Sequence, residues 1–165
     1  MAKSTPVKKW RDWFTTFAPL ILWIGVVAFL SSSNASMAAT SRFIGPLVKF
    51  FLPNAPDETL RSIHVVIRKL AHFTEYSLLA FFAVGAIARS SYNFRGYLQY
   101  LQPFILVAIV ASVDEINQSF DTARTGLASD ALLDIASGGV MIGVLWLLKW
   151  PRPLARSDGD GDGDA

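Results

Sequence analysis

An arginine, a histidine and a glutamate follow one another at helical spacing within a largely apolar part of the chain. Arg68, His72 and Glu75 stand at positions i, i+4 and i+7, so in a helix they share one face. An imidazole beside a carboxylate can move protons to and from a bound molecule, and a guanidinium can bind an anionic group. His72 and Glu75 are therefore catalytic candidates, as base and acid, and Arg68 is a candidate anion-binding residue.

Two further segments contribute carboxylates. Asp114 and Gln118 share a helical face, Glu115 lies on the adjoining side, and Asp130 and Asp134 are one helical turn apart. Oxygen ligands of this kind suit a divalent cation. A divalent cation is thus a candidate cofactor, and its candidate ligands are Asp114, Glu115 and Asp130.

The rest of the chain is poor in charge. Of 165 residues, 17% are charged and 52% are hydrophobic, and the net charge is +2. Average soluble domains have about 25% charged residues. This composition argues against a disordered chain or a coiled coil, and the absence of cysteine excludes disulfides and thiolate metal sites. We expect one domain.

The missing charge is concentrated in runs that predict membrane helices. Residues 13–41 and 96–113 carry no charge and are long enough to cross a membrane, which takes about 20 apolar residues. Two shorter runs reach this length only as 70–88 and 131–148, where they include ionisable residues. We predict an all-α integral membrane bundle of four transmembrane helices. Their expected positions are 14–30, 70–88, 98–117 and 131–149.

The connections complete the predicted organisation. Between helices 1 and 2, Arg42 and Lys49 interrupt apolar residues, which favours a segment lying in the membrane interface. Asp57 or Thr59 is expected to cap a helix that begins near Leu60 and continues into the second span. Residues 1–13 form the N-terminus, 14–149 the membrane domain and 150–165 a disordered tail. Cleavage of the first helix as a signal peptide is the alternative to its retention, which its length favours.

Antiparallel helices place the candidate residues at one level. The start of helix 2, the end of helix 3 and the start of helix 4 meet at the same side of the membrane. Lys and Arg predominate on the opposite side, so we expect cytoplasmic termini and a polar pocket at the outer leaflet. The predicted ligand-binding residues are Arg68, His72, Glu75, Tyr76, Asp114, Glu115, Gln118, Arg124, Asp130 and Asp134.

These residues, in this order, resemble the VanZ-like family of small bacterial membrane proteins. The resemblance rests on residues 68–76 (RKLAHFTEY), on 114–118 (DEINQ), and on Arg124 followed by Asp130 and Asp134. It implies a multi-pass protein of the bacterial cytoplasmic membrane with a role in the cell envelope. The family takes its name from a protein associated with teicoplanin resistance.

Several functions are compatible with this pattern. The pocket could bind a lipid headgroup, a lipid-linked precursor or an amphiphilic glycopeptide, and membrane lipids are the expected partners, with no nucleic acid. A membrane-embedded enzyme acting on an envelope lipid is an alternative, with or without a metal. An oligomeric transporter and a purely structural network of ion pairs are further alternatives, because charged groups in membranes are either functional or mutually paired.

Overall fold

The computed structural model describes residues 6–32, 45–90, 96–120 and 128–149, and these parts of the chain are helical with short turns. The helices are α1 (Pro6–Ser31), α2 (45–51), α3 (Asp57–Arg89), α4 (Leu98–Ser119) and α5 (Ala128–Leu147). Four of these helices, α1, α3, α4 and α5, contain regions long and apolar enough to cross a membrane. This finding confirms the predicted four-helix membrane architecture. The predicted tail, residues 150–165, and Arg124 lie outside the described residues.

Helix α3 is longer than a membrane is thick. Its 33 residues span about 50 Å at roughly 1.5 Å per residue, against a hydrocarbon core of about 30 Å. The helix begins at Asp57, earlier than expected, and Pro56 precedes it without a side-chain cap. The predicted capping by Asp57 or Thr59 is therefore wrong, because both residues already belong to the first helical turn.

The core of the bundle is built around α3, which packs against α1, α4 and α5. Its buried face includes Tyr76, Leu79 and the small residues Ala80 and Ala83. Small residues let helix backbones approach closely, which is how helices gain packing energy where lipid replaces water. The partners from the other helices are Leu20, Val27, Val107, Ala111, Ile142 and Leu145.

The outer faces of the helices are apolar and exposed. Leu22 and Phe29 on α1, Ile109 on α4 and Val140 on α5 all project away from the core. A soluble bundle would carry polar residues on such faces. Apolar faces on both sides of the helices are expected when lipid tails, rather than water, surround the protein.

Helix α2 presents a separate apolar surface. Leu47, Phe50 and Phe51 are exposed on this short helix, together with Lys49. An exposed aromatic cluster beside a cation suits the boundary between lipid tails and headgroups. The interfacial location of this segment remains a prediction.

Helix α1 is joined to α3 by a side-chain hydrogen bond. Trp23 Nε1 donates to the Glu75 main-chain carbonyl oxygen over 2.9 Å, and its ring contacts Phe82. Replacing Trp23 by phenylalanine is expected to cost about 1 kcal/mol of stability, because an aromatic ring is retained while the hydrogen bond is lost. Thermal unfolding of the two proteins in the same detergent measures this difference. Trp10→Phe is the matched control. Trp10 is exposed, so this substitution should leave stability unchanged.

Candidate functional site

The polar side chains of three helices converge near one end of the bundle. Arg68, His72 and Tyr76 occupy successive turns of α3 and meet residues of the last turns of α4 and the first turns of α5. Asp114 precedes the end of α4 by five residues and Asp134 follows the start of α5 by six. At roughly 1.5 Å per residue, both carboxylates therefore lie only about 8–9 Å from the helix ends. This places the site near one predicted boundary of the spans.

Asp114 is at the centre of the hydrogen bonds between α3 and α4. The Tyr76 hydroxyl donates to Asp114 Oδ2 over 2.9 Å, and Gln118 Nε2 donates to the same oxygen over 3.0 Å. All three residues are buried. The spacing of Asp114 and Gln118 by one helical turn allows the second bond, and the position of Tyr76 on the buried face of α3 allows the first. Two donors on one oxygen hold the carboxylate in a single orientation.

Arg68 extends this network toward the helix ends. Its Nη2 donates to Gln118 Oε1 over 3.3 Å. Because Gln118 donates through its nitrogen to Asp114 and accepts through its oxygen from Arg68, the orientation of the amide is determined by both neighbours. A guanidinium has five N–H donors, so this contact leaves donors of Arg68 that can bind an anionic group.

His72 and Asp134 connect α3 to α5. The distance from His72 Nδ1 to Asp134 Oδ2 is 3.4 Å, and Asp134 is only 2% exposed. The second carboxylate oxygen, Oδ1, is buried and has no hydrogen-bond partner within the described parts of the chain. Buried carboxylate oxygens are normally satisfied, so this one requires an explanation.

The two networks adjoin each other through their ligand-type atoms. One atom from each of His72, Asp114 and Asp134 can be chosen so that all three lie within 4.8 Å of one another. Asp114 was an expected metal ligand, but the structure groups it with His72 and Asp134 instead of Glu115 and Asp130. The reason is geometric: Glu115 is rotated by about 100° from Asp114 on α4, and Asp130 lies a turn nearer the start of α5.

The remaining predicted residues have more peripheral places. Glu75 and Glu115 are half-buried, and Asp130 lies in the first turn of α5, also half-buried. Glu75 takes part in the contact with α1 through its main-chain carbonyl, which accepts the Trp23 hydrogen bond. These acids are not among the six side chains of the two networks, which are Arg68, His72, Tyr76, Asp114, Gln118 and Asp134.

Two buried serines were not anticipated from the sequence. Ser77 Oγ donates to the Ser137 main-chain carbonyl over 3.3 Å, directly beside Tyr76 and one turn after Asp134. Ser137 Oγ in turn donates to the Leu133 carbonyl within α5. For Ser137, helical spacing could have indicated a place beside the site. It follows Asp134 by three residues and therefore lies on the same side of its helix.

The fold and the site together define a class: helical membrane proteins with a buried polar cluster close to one end of the bundle. A family model described as VanZ/LLP1 matches residues 16–149, and the chain belongs to this VanZ-like family. All six side chains of the two networks lie within the matched residues. No curated protein and no solved structure gives a significant match.

Proposed function

We propose that the protein is a cell-envelope membrane protein whose polar cluster binds the headgroup of an amphiphile. The ligand class comprises membrane lipids, lipid-linked precursors and amphiphilic glycopeptides. The observation that carries the proposal is the connected network from Arg68 through Gln118 to Asp114 and Tyr76, with His72 and Asp134 beside it. Such a network near the end of a bundle surrounded by exposed apolar residues suits a ligand with a polar head and an apolar chain.

The charges of the cluster indicate which headgroup would fit. Arg68 offers donors for a phosphate or carboxylate of the headgroup. Because Arg68 is only half-buried whereas Asp114 and Asp134 are buried, an anionic headgroup would bind through Arg68. The apolar chain of such a ligand would lie along the exposed faces of the bundle.

The proposal includes an orientation in the membrane. With both termini in the cytoplasm of a bacterial cell, the polar cluster faces the outer leaflet of the cytoplasmic membrane. The bias of Lys and Arg supports this orientation. The location would place the cluster where envelope precursors and external antibiotics, including teicoplanin-type glycopeptides, are accessible.

Headgroup binding predicts a specific loss on substitution of Arg68. The full-length protein is purified in detergent and its binding of phosphatidylethanolamine is measured by native mass spectrometry. Arg68→Gln is expected to weaken binding about tenfold or more, equivalent to about 1.4 kcal/mol. Lys69→Gln is the matched control, because Lys69 is the adjacent cation but is exposed and has no place in the network. Equal binding by both variants and the wild type would reject the assignment of Arg68.

A second candidate function is catalysis on an envelope lipid. The observation that favours it is the His72–Asp134 contact, because a buried carboxylate at Nδ1 orients an imidazole so that its other nitrogen can act as a general base. Glu75, one turn further along α3, is the candidate acid. Turnover of a labelled lipid that is lost in His72→Gln and retained in Lys69→Gln would support this function, and the absence of turnover across lipid classes would count against it.

A further inference from the structure

We propose that His72, Asp114 and Asp134 form a binding site for a divalent transition-metal ion. The three residues come from α3, α4 and α5 and supply one nitrogen and two oxygen ligands, with the chosen atoms within 4.8 Å of one another. A mixed set of imidazole and carboxylate ligands suits Mn²⁺, Fe²⁺ or Zn²⁺. The inference goes beyond headgroup binding, because the ion would bind in the absence of any lipid.

The distance between His72 and Asp134 supports a shared ion. Their closest atoms are 3.4 Å apart, which is long for a hydrogen bond, usually about 2.7–3.2 Å. Two ligands that each lie about 2.1 Å from one ion are separated by roughly 3–3.5 Å in tetrahedral or octahedral geometry. The observed separation therefore matches that of two ligands of one ion.

The unpartnered oxygen of Asp134 is an independent observation that points to a cation. Oδ1 is buried and accepts no hydrogen bond from the described parts of the chain. The carboxylate is also nearly inaccessible to solvent. A buried anionic oxygen without a partner is costly in free energy. Coordination of an ion by this carboxylate would compensate that cost directly.

The surrounding hydrogen bonds are those expected around a metal ligand. Tyr76 and Gln118 both donate to Asp114 Oδ2, and Arg68 holds the Gln118 amide. Groups that bond to a metal-binding carboxylate orient it and raise the affinity for the ion. In this arrangement Asp114 is a ligand and Tyr76 and Gln118 are positioning residues.

The charge of the site also favours a dication. Two carboxylates and a neutral imidazole carry two negative charges, which a divalent ion neutralises. An uncompensated charge in a membrane helix is unfavourable. One bound ion would remove this cost for both carboxylates and would join three helices at one point.

Metal binding is tested with the full-length protein in detergent, without added lipid. The protein is treated with a chelator, exposed to Mn²⁺ or Zn²⁺ separately, and the ions bound per chain are counted by plasma mass spectrometry with affinities from calorimetry. We expect one ion per chain. Asp134→Asn and His72→Gln should each weaken binding by about 100-fold or more, and Tyr76→Phe by about tenfold.

Asp130→Asn is the matched control, because Asp130 lies one turn before Asp134 on α5 but outside the cluster. Its affinity should equal that of the wild type. Circular dichroism and size-exclusion chromatography identify folded variants, and Tyr76→Phe provides a mild change if a ligand variant does not fold. No binding by the wild type at millimolar Mn²⁺ and Zn²⁺, or equal binding by the Asp134 and Asp130 variants, would overturn the site. Because lipid is absent, either result is separate from the test of headgroup binding.

Discussion

Replacing Asp114 by alanine is expected to lower the free energy of unfolding by about 2–4 kcal/mol. The substitution removes the one oxygen that accepts hydrogen bonds from both Tyr76 and Gln118. Tyr76 is completely buried, so its hydroxyl would lose its acceptor without gaining access to water. Each buried donor left unsatisfied costs about 1–3 kcal/mol, and the substitution leaves two such donors without their acceptor.

Two companion variants separate the hydrogen bonds from the charge. Asp114→Asn keeps a side-chain oxygen that can accept from both donors, so its stability should remain within about 1 kcal/mol of the wild type. Adding Tyr76→Phe to Asp114→Ala should recover part of the lost stability, because the unpaired hydroxyl is removed. Unfolding in a denaturing detergent, followed by circular dichroism, measures all four proteins. Wild-type stability of Asp114→Ala would show that the network contributes nothing to the fold.

Replacing Gly138 by alanine is expected to destabilise the contact between α4 and α5 by about 1–3 kcal/mol. A Cβ at this position would lie 2.6 Å from Val107 Cγ1 and 3.3 Å from Val107 Cβ. Val107 is fully buried and β-branched, so rotation of its side chain offers little relief. The axes of α4 and α5 would have to separate, which would also displace Asp134, one turn before Gly138 on α5.

A compensating pair and a control make this expectation specific. Val107→Ala combined with Gly138→Ala should restore stability relative to Gly138→Ala alone, since the clashing atoms are removed. Gly143→Ala on the same helix meets nothing within 4 Å, and should be neutral or stabilising by up to about 1 kcal/mol because alanine favours helix. If Gly138→Ala behaves like Gly143→Ala in thermal unfolding, the close packing at Gly138 is not a constraint.

Much of the architecture follows from local patterns in the chain. Charge-free runs identify α1 and α4, and the spacing of Arg68, His72 and Glu75 predicts that α3 carries polar residues on one face. Alternating helix direction then brings the start of α3, the end of α4 and the start of α5 together. These inferences depend only on helix periodicity and on the length needed to cross a membrane.

The pairing of individual residues could not be obtained in this way. Helical periodicity places a residue on a face but leaves the rotation of each helix about its axis undetermined. Among the carboxylates of the site, periodicity treats Asp114 and Glu115, or Asp130 and Asp134, as nearly equivalent candidates. The structure selects Asp114 for Tyr76 and Asp134 for His72, and leaves Glu115 and Asp130 outside the group of close ligand atoms.

The amino-acid sequence by itself therefore determined the four spans and the end of the bundle at which the polar residues collect. Tertiary structure decided which of these residues touch. The physical reason is that helix rotation and separation are set by contacts between distant residues, such as Gly138 with Val107 and Trp23 with the Glu75 carbonyl. Those contacts bring His72, Asp114 and Asp134 within reach of one another, an arrangement that no local pattern in the chain specifies.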